Sequence, residues 1–325
     1  HTRHTAILHS RRRAGASNQN HHKMTFSIVI PTYNGEIFLA NAIESALSQT
    51  RPADEIIVAD DNSSDSTIDI ASRYADRVRV CRHEGPSGFV NGWNKAIAYA
   101  KCDFIAILHQ DDLLHPDFLK EAERVLTSHP DVRHFFAICD YVDGDGKVIG
   151  ASVPADGSVR RFTGREYTHA YMSHGNPHVH RCPGVITHRD LFSKCTYRTE
   201  AGHMADDDFF YRIGNHTDIV GVFSHLASYR LHDKSETGHL SELRLNKRLW
   251  HDYTFQCHHI QDNPLLGDYE KTYFRQWQYL HWRRALGTML KTKQFSDVFH
   301  ALLHAPLASM FRYTILRQRV SRVES

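Results

Sequence analysis

The chain has 325 residues, 41% of them hydrophobic and 23% charged, with a formal net charge of +2 beside 26 neutral histidines. Those proportions suit a globular protein with room for one large domain, or a medium one plus an appendage. Three classes are disfavoured. Lys and Arg form no cluster in the main body that would suit nucleic acid, and no run of about 18 apolar residues offers a membrane span. The six cysteines lack any Cys-x-x-Cys pair of a disulfide framework or zinc site. Scattered thiols suit a reducing compartment, so they are expected to be buried and structural in a cytoplasmic protein.

Residues 1–23 hold one short apolar run, Ala6-Ile7-Leu8, too short for a secretory signal. The segment is expected to be disordered, with Met24 as the natural start. Ser27 to Ile30 is an apolar run ended by Pro31, the pattern of a strand buried on both faces. Leu39, Ile43, Ala46 and Leu47 recur at helical spacing and predict a helix over 36–48. Glu55 to Ala59 is the second strand. A helix follows from Ser64, a capping residue, to about Tyr74, with Asp65 at its positive end. Val78 to Cys81 and Phe104 to Leu108 are the third and fourth strands, separated by a helix over 93–100. Pro116, tolerated in a first turn, opens a helix to about Thr127. Strands alternating with helices at this spacing predict an α/β fold with a mainly parallel sheet.

After Phe135 to Cys139 the rhythm changes. Asp143-Gly144-Asp145-Gly146 reads as a hairpin turn between Tyr141 and Val148, because a calcium loop's later ligands are missing. From about Ser241 the composition is helical, with aromatics at Tyr273, Phe274, Trp277, Tyr279 and Trp282. The expected organisation is therefore a disordered 1–23, an α/β domain over 24–240 and a helical C-terminal extension over 241–325.

Ligands of an open α/β sheet sit outside the carboxyl ends of its strands. Thr32 to Gly35, Asp60-Asp61 and Asp111-Asp112 all fall at such ends, and a nucleotide is their natural occupant. Adjacent carboxylates raise each other's pKa, and a hard divalent ion shared with substrate phosphates is the usual relief. A third acidic group, Asp206-Asp207-Asp208, leads into Phe209, Phe210 and Ile213, where Asp206 could also serve as a helix cap. His174, His178, His180 and His188 fit no zinc-ligand spacing and are expected on the surface or in a loop.

The segments SIVIPTYNGEIFLANAIESALSQT, EIIVADDNSSDST, FIAILHQDDLLHPDFL and ADDDFFYRI, in that order and spacing, resemble glycosyltransferase family 2 over roughly Thr25 to His232. The resemblance implies the GT-A fold, a Rossmann-like mixed, mainly parallel sheet flanked by helices. It also implies inverting transfer from a nucleoside-diphosphate sugar, a UDP-sugar foremost, to a hydroxyl of a glycan or lipid-linked acceptor. Pro31, Thr32, Tyr33 and Asn34 match the family's nucleoside-cradling turn, with Tyr33 against the base, and Asp61, beside Asp60, matches the carboxylate that accepts from the base imide. In the Asp-x-Asp signature the first acid is His109 here, the middle residue Gln110 and the last Asp111, followed by Asp112. That departure leaves Asp111 and Asp112 to hold the ribose and a divalent metal, Mg or Mn, with His232 of Arg230-Leu231-His232 as a further metal ligand. Gly85, Gly88 and Asn94 match the loop and helix start beneath the donor, and Arg181-Cys182-Pro183-Gly184 the acceptor loop. Asp206 matches the general base, with Asp207 as its rival.

Inverting transfer needs a base on the acceptor side and charge neutralisation at the leaving group. Partial burial and its acidic neighbours are expected to raise the pKa of Asp206 towards useful basicity. The tail over 306–325 mixes Leu307, Met310, Phe311, Ile315 and Leu316 with Arg312, Arg317, Arg319 and Arg322. It reads either as a basic helix lying on the inner face of a membrane or as a helix packed back on the catalytic domain. The competing functions are a non-catalytic glycan-binding or scaffolding relative of the same fold and a nucleotidyltransferase. No Gly-x-Gly-x-x-Gly after a strand and no P-loop supports the latter.

Overall fold

A computed structural model describes residues 23–85, 87–172, 180–232 and 262–291. β1 (Phe26–Thr32) is buried at every position, which is why it reads as one apolar run. It pairs in parallel with β2 (Glu55–Asp60) on one side and β4 (Phe104–Ile107) on the other, and β3 (Arg79–Arg82) extends the parallel set beyond β2. Three helices form the crossovers: α1 (Leu39–Leu47), α2 (Thr67–Ser72) and α3 (Phe89–Tyr99). Leu39, Ala42, Ile43 and Ala46 form the buried stripe of α1, at the i, i+3, i+4, i+7 spacing of one helix face.

The second half follows a different pattern. After β5 (Leu113–Leu114) and α4 (Phe118–Ser128) come β6 (His134–Val142), β7 (Val148–Ala151), β8 (Val159–Phe162) and α5 (Gly164–Met172). Then follow β9 (Val185–His188), α6 (Arg189–Phe192), α7 (Ala205–Ile213), β10 (Ile219–Arg230) and α8 (Asp268–Lys291). Among the described residues all strands join one sheet of order β3-β2-β1-β4-β9-β6-β10-β5, with β7 beside β6 and β8 beside β10. β9 runs antiparallel to both β4 and β6, and so joins the parallel set to a second parallel pair, β6 and β10. The result is the expected mixed sheet around a parallel centre. One face is covered by α1 and α4 through Leu39, Ile43, Phe118 and Leu119, the other by α3 and α7 through Val90, Ala96, Phe209 and Phe210.

Local details differ from the sequence reading. α3 begins at Phe89 rather than Trp93, because Gly88 supplies the positive φ (78°) that turns the chain into the helix. Ser64 does not cap α2. Its neighbour Asp65 accepts the Thr67 backbone N–H at 3.0 Å instead. The turn at 143–146 does close a hairpin, with Asp143 Oδ1 accepting the backbone N–H groups of Asp145 (3.0 Å) and Lys147 (2.9 Å). α8 lies within the expected helical extension, and Leu266 and Met289 are buried. Residues 1–22, His174, His178 and the basic tail over 306–325 lie outside the described residues.

Candidate active site

The turn after β1 is held from three directions. Gln110, at the end of β4, receives a hydrogen bond from Thr32 Oγ1 (2.5 Å) and the Tyr33 N–H (2.9 Å), and its Nε2 donates back to the Tyr33 carbonyl (3.1 Å). Asn34 adopts a positive φ of 48°, which Asn tolerates better than most residues. Its N–H donates to Ser63 Oγ (2.9 Å), while its side-chain oxygen accepts the Ser64 N–H (3.0 Å). Pro31 and Thr32 are thereby buried, and the Tyr33 ring is left 53% exposed over the end of the sheet.

The two aspartates after β2 have opposite fates. Asp60 is 0% exposed, pairs with Arg82 (3.3 Å) and accepts from the Ser63 N–H (3.1 Å) and hydroxyl. From inside, it braces the loop in which a nucleotide contact is expected. Asp61 accepts hydrogen bonds from His83 Nδ1 (3.0 Å) and from the Ser87 N–H and hydroxyl. Burial acts to raise the Asp61 carboxyl, but these donors outweigh it and hold the group below the ordinary carboxylate value. Asn94 also acts within the protein: its amide donates to the Tyr197 carbonyl (2.8 Å) and accepts the Tyr197 N–H (3.2 Å). These bonds anchor the loop before α7 to the start of α3.

At the end of β4, His109 stacks on Trp93 at 4.9 Å between centroids, and burial lowers its pKa, so desolvation disfavours a cation at the position of the missing first acid. Asp111 lies 3.0 Å from His232 Nε2. Burial works to raise the Asp111 carboxyl, yet the hydrogen bond from His232 and nearby histidine charge bring it below its ordinary value. Asp112 is 1% exposed and pushed well up by burial and then by Asp111. One of its oxygens accepts the Arg230 N–H (2.9 Å), and the other has no hydrogen-bond partner and lies 3.7 Å from His109 Nδ1. Asp112, expected as a metal ligand, ties the strand end to β10 through one oxygen. Arg230 continues that tie: its guanidinium donates to the carbonyls of Asp111 (2.8 Å), Asp143 and Gly144 (2.9 Å each) and lies over Phe38.

The acidic triplet opens α7, with Ala205 as its first residue and Met204 as its cap, so Asp206 sits inside the first turn and is not the cap. Asp206 is part-buried and accepts the Asp207 N–H (2.9 Å). Burial first, then the Asp207 charge, push its carboxyl up to about 7. Asp208 points the other way: 0% exposed, it is gripped by Arg198 (3.0 Å from Nε) and by Arg212 (3.1 Å from Nε). Beside Asp206 runs the turn Cys182–Gly184. Burial raises the Cys182 thiol well above its usual value, and the charges of Asp206, Asp112 and Asp207 add to it in that order. The carboxylates of α7 and of the β4 end therefore act on one buried thiol. His180, expected on the surface or in a loop, is buried and bonded to the Tyr167 hydroxyl (2.6 Å).

Among the described residues, no three His, Cys, Asp or Glu side chains are grouped to enclose a metal unaided. A magnesium-type ion does not require that, since one or two carboxylates plus substrate phosphates complete its shell. Asp111 with its adjacent His232 fits such an incomplete donor set, one carboxylate and one imidazole, that substrate phosphates would complete. His83 and Ser87 escaped the sequence reading, because they act on Asp61 from the end of a neighbouring strand and the loop after it.

The sequence profile of glycosyl transferase family 2 matches residues 27–196. EpsH of Bacillus subtilis (strain 168), which carries a glycosyltransferase name, is 26% identical over 271 residues, 75% of this chain and 72% of its own length. The chain spans less of other curated relatives, 38% of one and 52% of another. S. aureus TarS 1-349, solved in complex with UDP-GlcNAc, superposes with a TM-score of 0.66 at 20% identity, over 86% of this chain and 80% of that 1-349 chain. The mannosyltransferase PcManGT from Pyrobaculum calidifontis, solved with GDP-Man and Mn2+, gives 0.54 at 14% identity, over 90% of this chain and 84% of its own. With the mixed sheet, the strand-end carboxylates and the acidic first turn of α7 already described, the match settles the affiliation: the chain belongs to glycosyl transferase family 2 and is a glycosyltransferase of the GT-A fold.

Proposed function

We propose that this glycosyltransferase moves a sugar, with inversion, from a nucleoside-diphosphate sugar to a hydroxyl of a glycan or lipid-linked acceptor. Asp206 is the base. Its carboxyl, raised to about 7, takes the acceptor hydroxyl proton as that oxygen attacks the anomeric carbon and the bond to the diphosphate oxygen breaks. The Asp207 charge beside it adds to that rise. The observation that carries the assignment is the part-buried Asp206 in the first turn of α7, with its carboxyl raised by burial and by Asp207.

At that end the exposed Tyr33 ring offers a face to the base, and Asp61 an acceptor to a base N–H. Asp111 and His232 are the residues that would hold Mg or Mn, and Asp112 with Arg230 keeps them in place. When bound, the ion supplies neutralisation of the charge left on the diphosphate. Support for the donor and metal class comes from the fold neighbours, TarS with UDP-GlcNAc and PcManGT with GDP-Man and Mn2+. We further place the enzyme at the cytoplasmic face of a membrane. The basic tail over 306–325 would supply the peripheral contact.

A panel of UDP- and GDP-sugars, each with and without Mn2+, tests the assignment by thermal stabilisation, followed by NMR of the product's anomeric configuration. Stabilisation by one donor class, strengthened by Mn2+, with an inverted product is expected. A retained configuration, or no stabilisation by any donor, would overturn it.

A further inference from the structure

We propose that His83 is a positioning residue for nucleobase selection: it orients Asp61 so that one carboxylate oxygen faces the cleft as an acceptor for a ring N–H. The inference rests on Asp61 being the residue that meets the base. It goes beyond that assignment by naming what aims the carboxylate and which bases it favours.

The geometry around Asp61 is lopsided. Oδ1 takes His83 Nδ1 at 3.0 Å, the Ser87 N–H at 3.1 Å and the Ser87 hydroxyl. Oδ2 shares only that same Ser87 N–H, at 3.0 Å. A carboxylate offers about four lone-pair sites, so Oδ1 is saturated and Oδ2 keeps accepting capacity. Towards α3, Asp61 is 5% exposed and meets Gly92, where an added Cβ would stand in ordinary contact 3.7 Å from Oδ2, so the glycine leaves that oxygen unclashed.

His83 is itself held firmly. It is 5% exposed, its N–H donates to the Asp60 carbonyl at 2.8 Å, and its ring stacks on Tyr99 at 5.8 Å between centroids. Its Nε2 is buried without a hydrogen-bond partner, so the contact with Asp61 is its single side-chain hydrogen bond among the described residues. Because an ionised carboxylate only accepts, Nδ1 must carry the proton, which fixes the ring's tautomer.

An acceptor held in this way discriminates by chemistry. Uracil and guanine present a ring N–H on the pairing edge, whereas cytosine and adenine present a lone pair there and would meet Oδ2 with repulsion. Without His83 the carboxylate is free to rotate about its χ angles, and the penalty against the wrong edge relaxes.

The test is calorimetric titration of UDP, GDP, CDP and ADP, each with Mn2+, into the full chain and its variants. The unsubstituted protein is expected to bind UDP or GDP at least about tenfold more tightly than CDP and ADP. His83→Leu should shrink that ratio by about tenfold, while His83→Asn, which keeps a donor near Nδ1, should hold it within about twofold. In turnover with the accepted donor, H83L should raise KM with kcat within about threefold. If H83L does not fold by thermal melting, His83→Phe, which keeps a ring against Tyr99 but no donor, takes its place.

Asp61→Asn separates the two levels. Should D61N abolish base discrimination while H83L leaves it intact, Asp61 reads the base unaided and the role of His83 is refuted. Should D61N leave discrimination intact, Asp61 does not meet the base, and the assignment beneath falls as well. A ratio lost equally in H83N and H83L would show that the hydrogen bond is not what aims the carboxylate, and would also refute the proposal.

Discussion

Replacing Asp206 by Asn removes a charge while keeping shape and one accepting oxygen for the Asp207 N–H. The folded carboxyl sits at about 7 against an ordinary 3.8, so the native state holds this proton more tightly than the unfolded chain does. Below about pH 3.8 both states are protonated and ionisation costs nothing. Between there and about 7 the penalty grows, and above 7 it is complete. At about 1.36 kcal/mol per tenfold change in proton affinity, the gap corresponds to roughly 4 kcal/mol, which solvent screening of a part-buried group trims to roughly 2–4 kcal/mol. Asn carries none of this penalty, so D206N is expected to melt above the parent by about 4–10 °C at pH 8, and by much less at pH 5. Transfer should fall in the opposite sense: kcat down on the order of 10²–10⁴-fold, with donor affinity nearly unchanged. For the parent, kcat/KM should fall as pH drops below about 7, where Asp206 becomes protonated. Melting curves over pH 5–9, donor titration and initial rates test the three claims together. A melting difference that does not vary with pH, or transfer that survives in D206N, would refute the reasoning.

Other substitutions probe the surrounding structure. Asp208→Ala leaves Arg198 and Arg212 facing a buried void, and chemical denaturation should show a loss of about 3–5 kcal/mol. Gly184→Ala would set a Cβ 2.4 Å from the Ala137 carbonyl oxygen, so the turn beside Asp206 must shift. A stability loss of about 1–3 kcal/mol with reduced kcat is expected in denaturation and rate assays. His232→Ala should raise the Mn2+ concentration for half-maximal activity on the order of tenfold or more, read by metal titration at fixed donor. Deleting the residues after Pro306 should release the protein from anionic vesicles in a sedimentation assay, and unchanged sedimentation would remove the membrane contact.

Much of the architecture is legible in the chain because buried parallel strands leave a strong mark. Val29, Ile57 and Ile105 sit in apolar runs bounded by breakers, and each run became a strand of the central sheet. Boundaries were less legible where a single backbone conformation decides them. Gly88 starts α3 four residues before apolar spacing alone suggests, since only its positive φ brings the chain round. The late hairpin was readable from its Asp-Gly pattern, but the antiparallel insertion of β9 between β4 and β6 was not, because that pairing joins strands far apart in sequence.

The candidate site divides along the same line. Residue type and strand-end position mark Asp60, Asp61, Asp111, Asp112 and Asp206 to Asp208 as acidic groups near a phosphate-bearing ligand, because strand ends and helix starts are where the sheet leaves polar atoms open. What each carboxylate does was decided by partners from distant elements: Arg82 for Asp60, His83 and Ser87 for Asp61, Arg230 for Asp112, and Arg198 with Arg212 for Asp208. Neighbouring aspartates are chemically identical in the sequence. Desolvation and the donors that reach each of them set whether it braces, binds or takes a proton, and both are properties of the packed molecule.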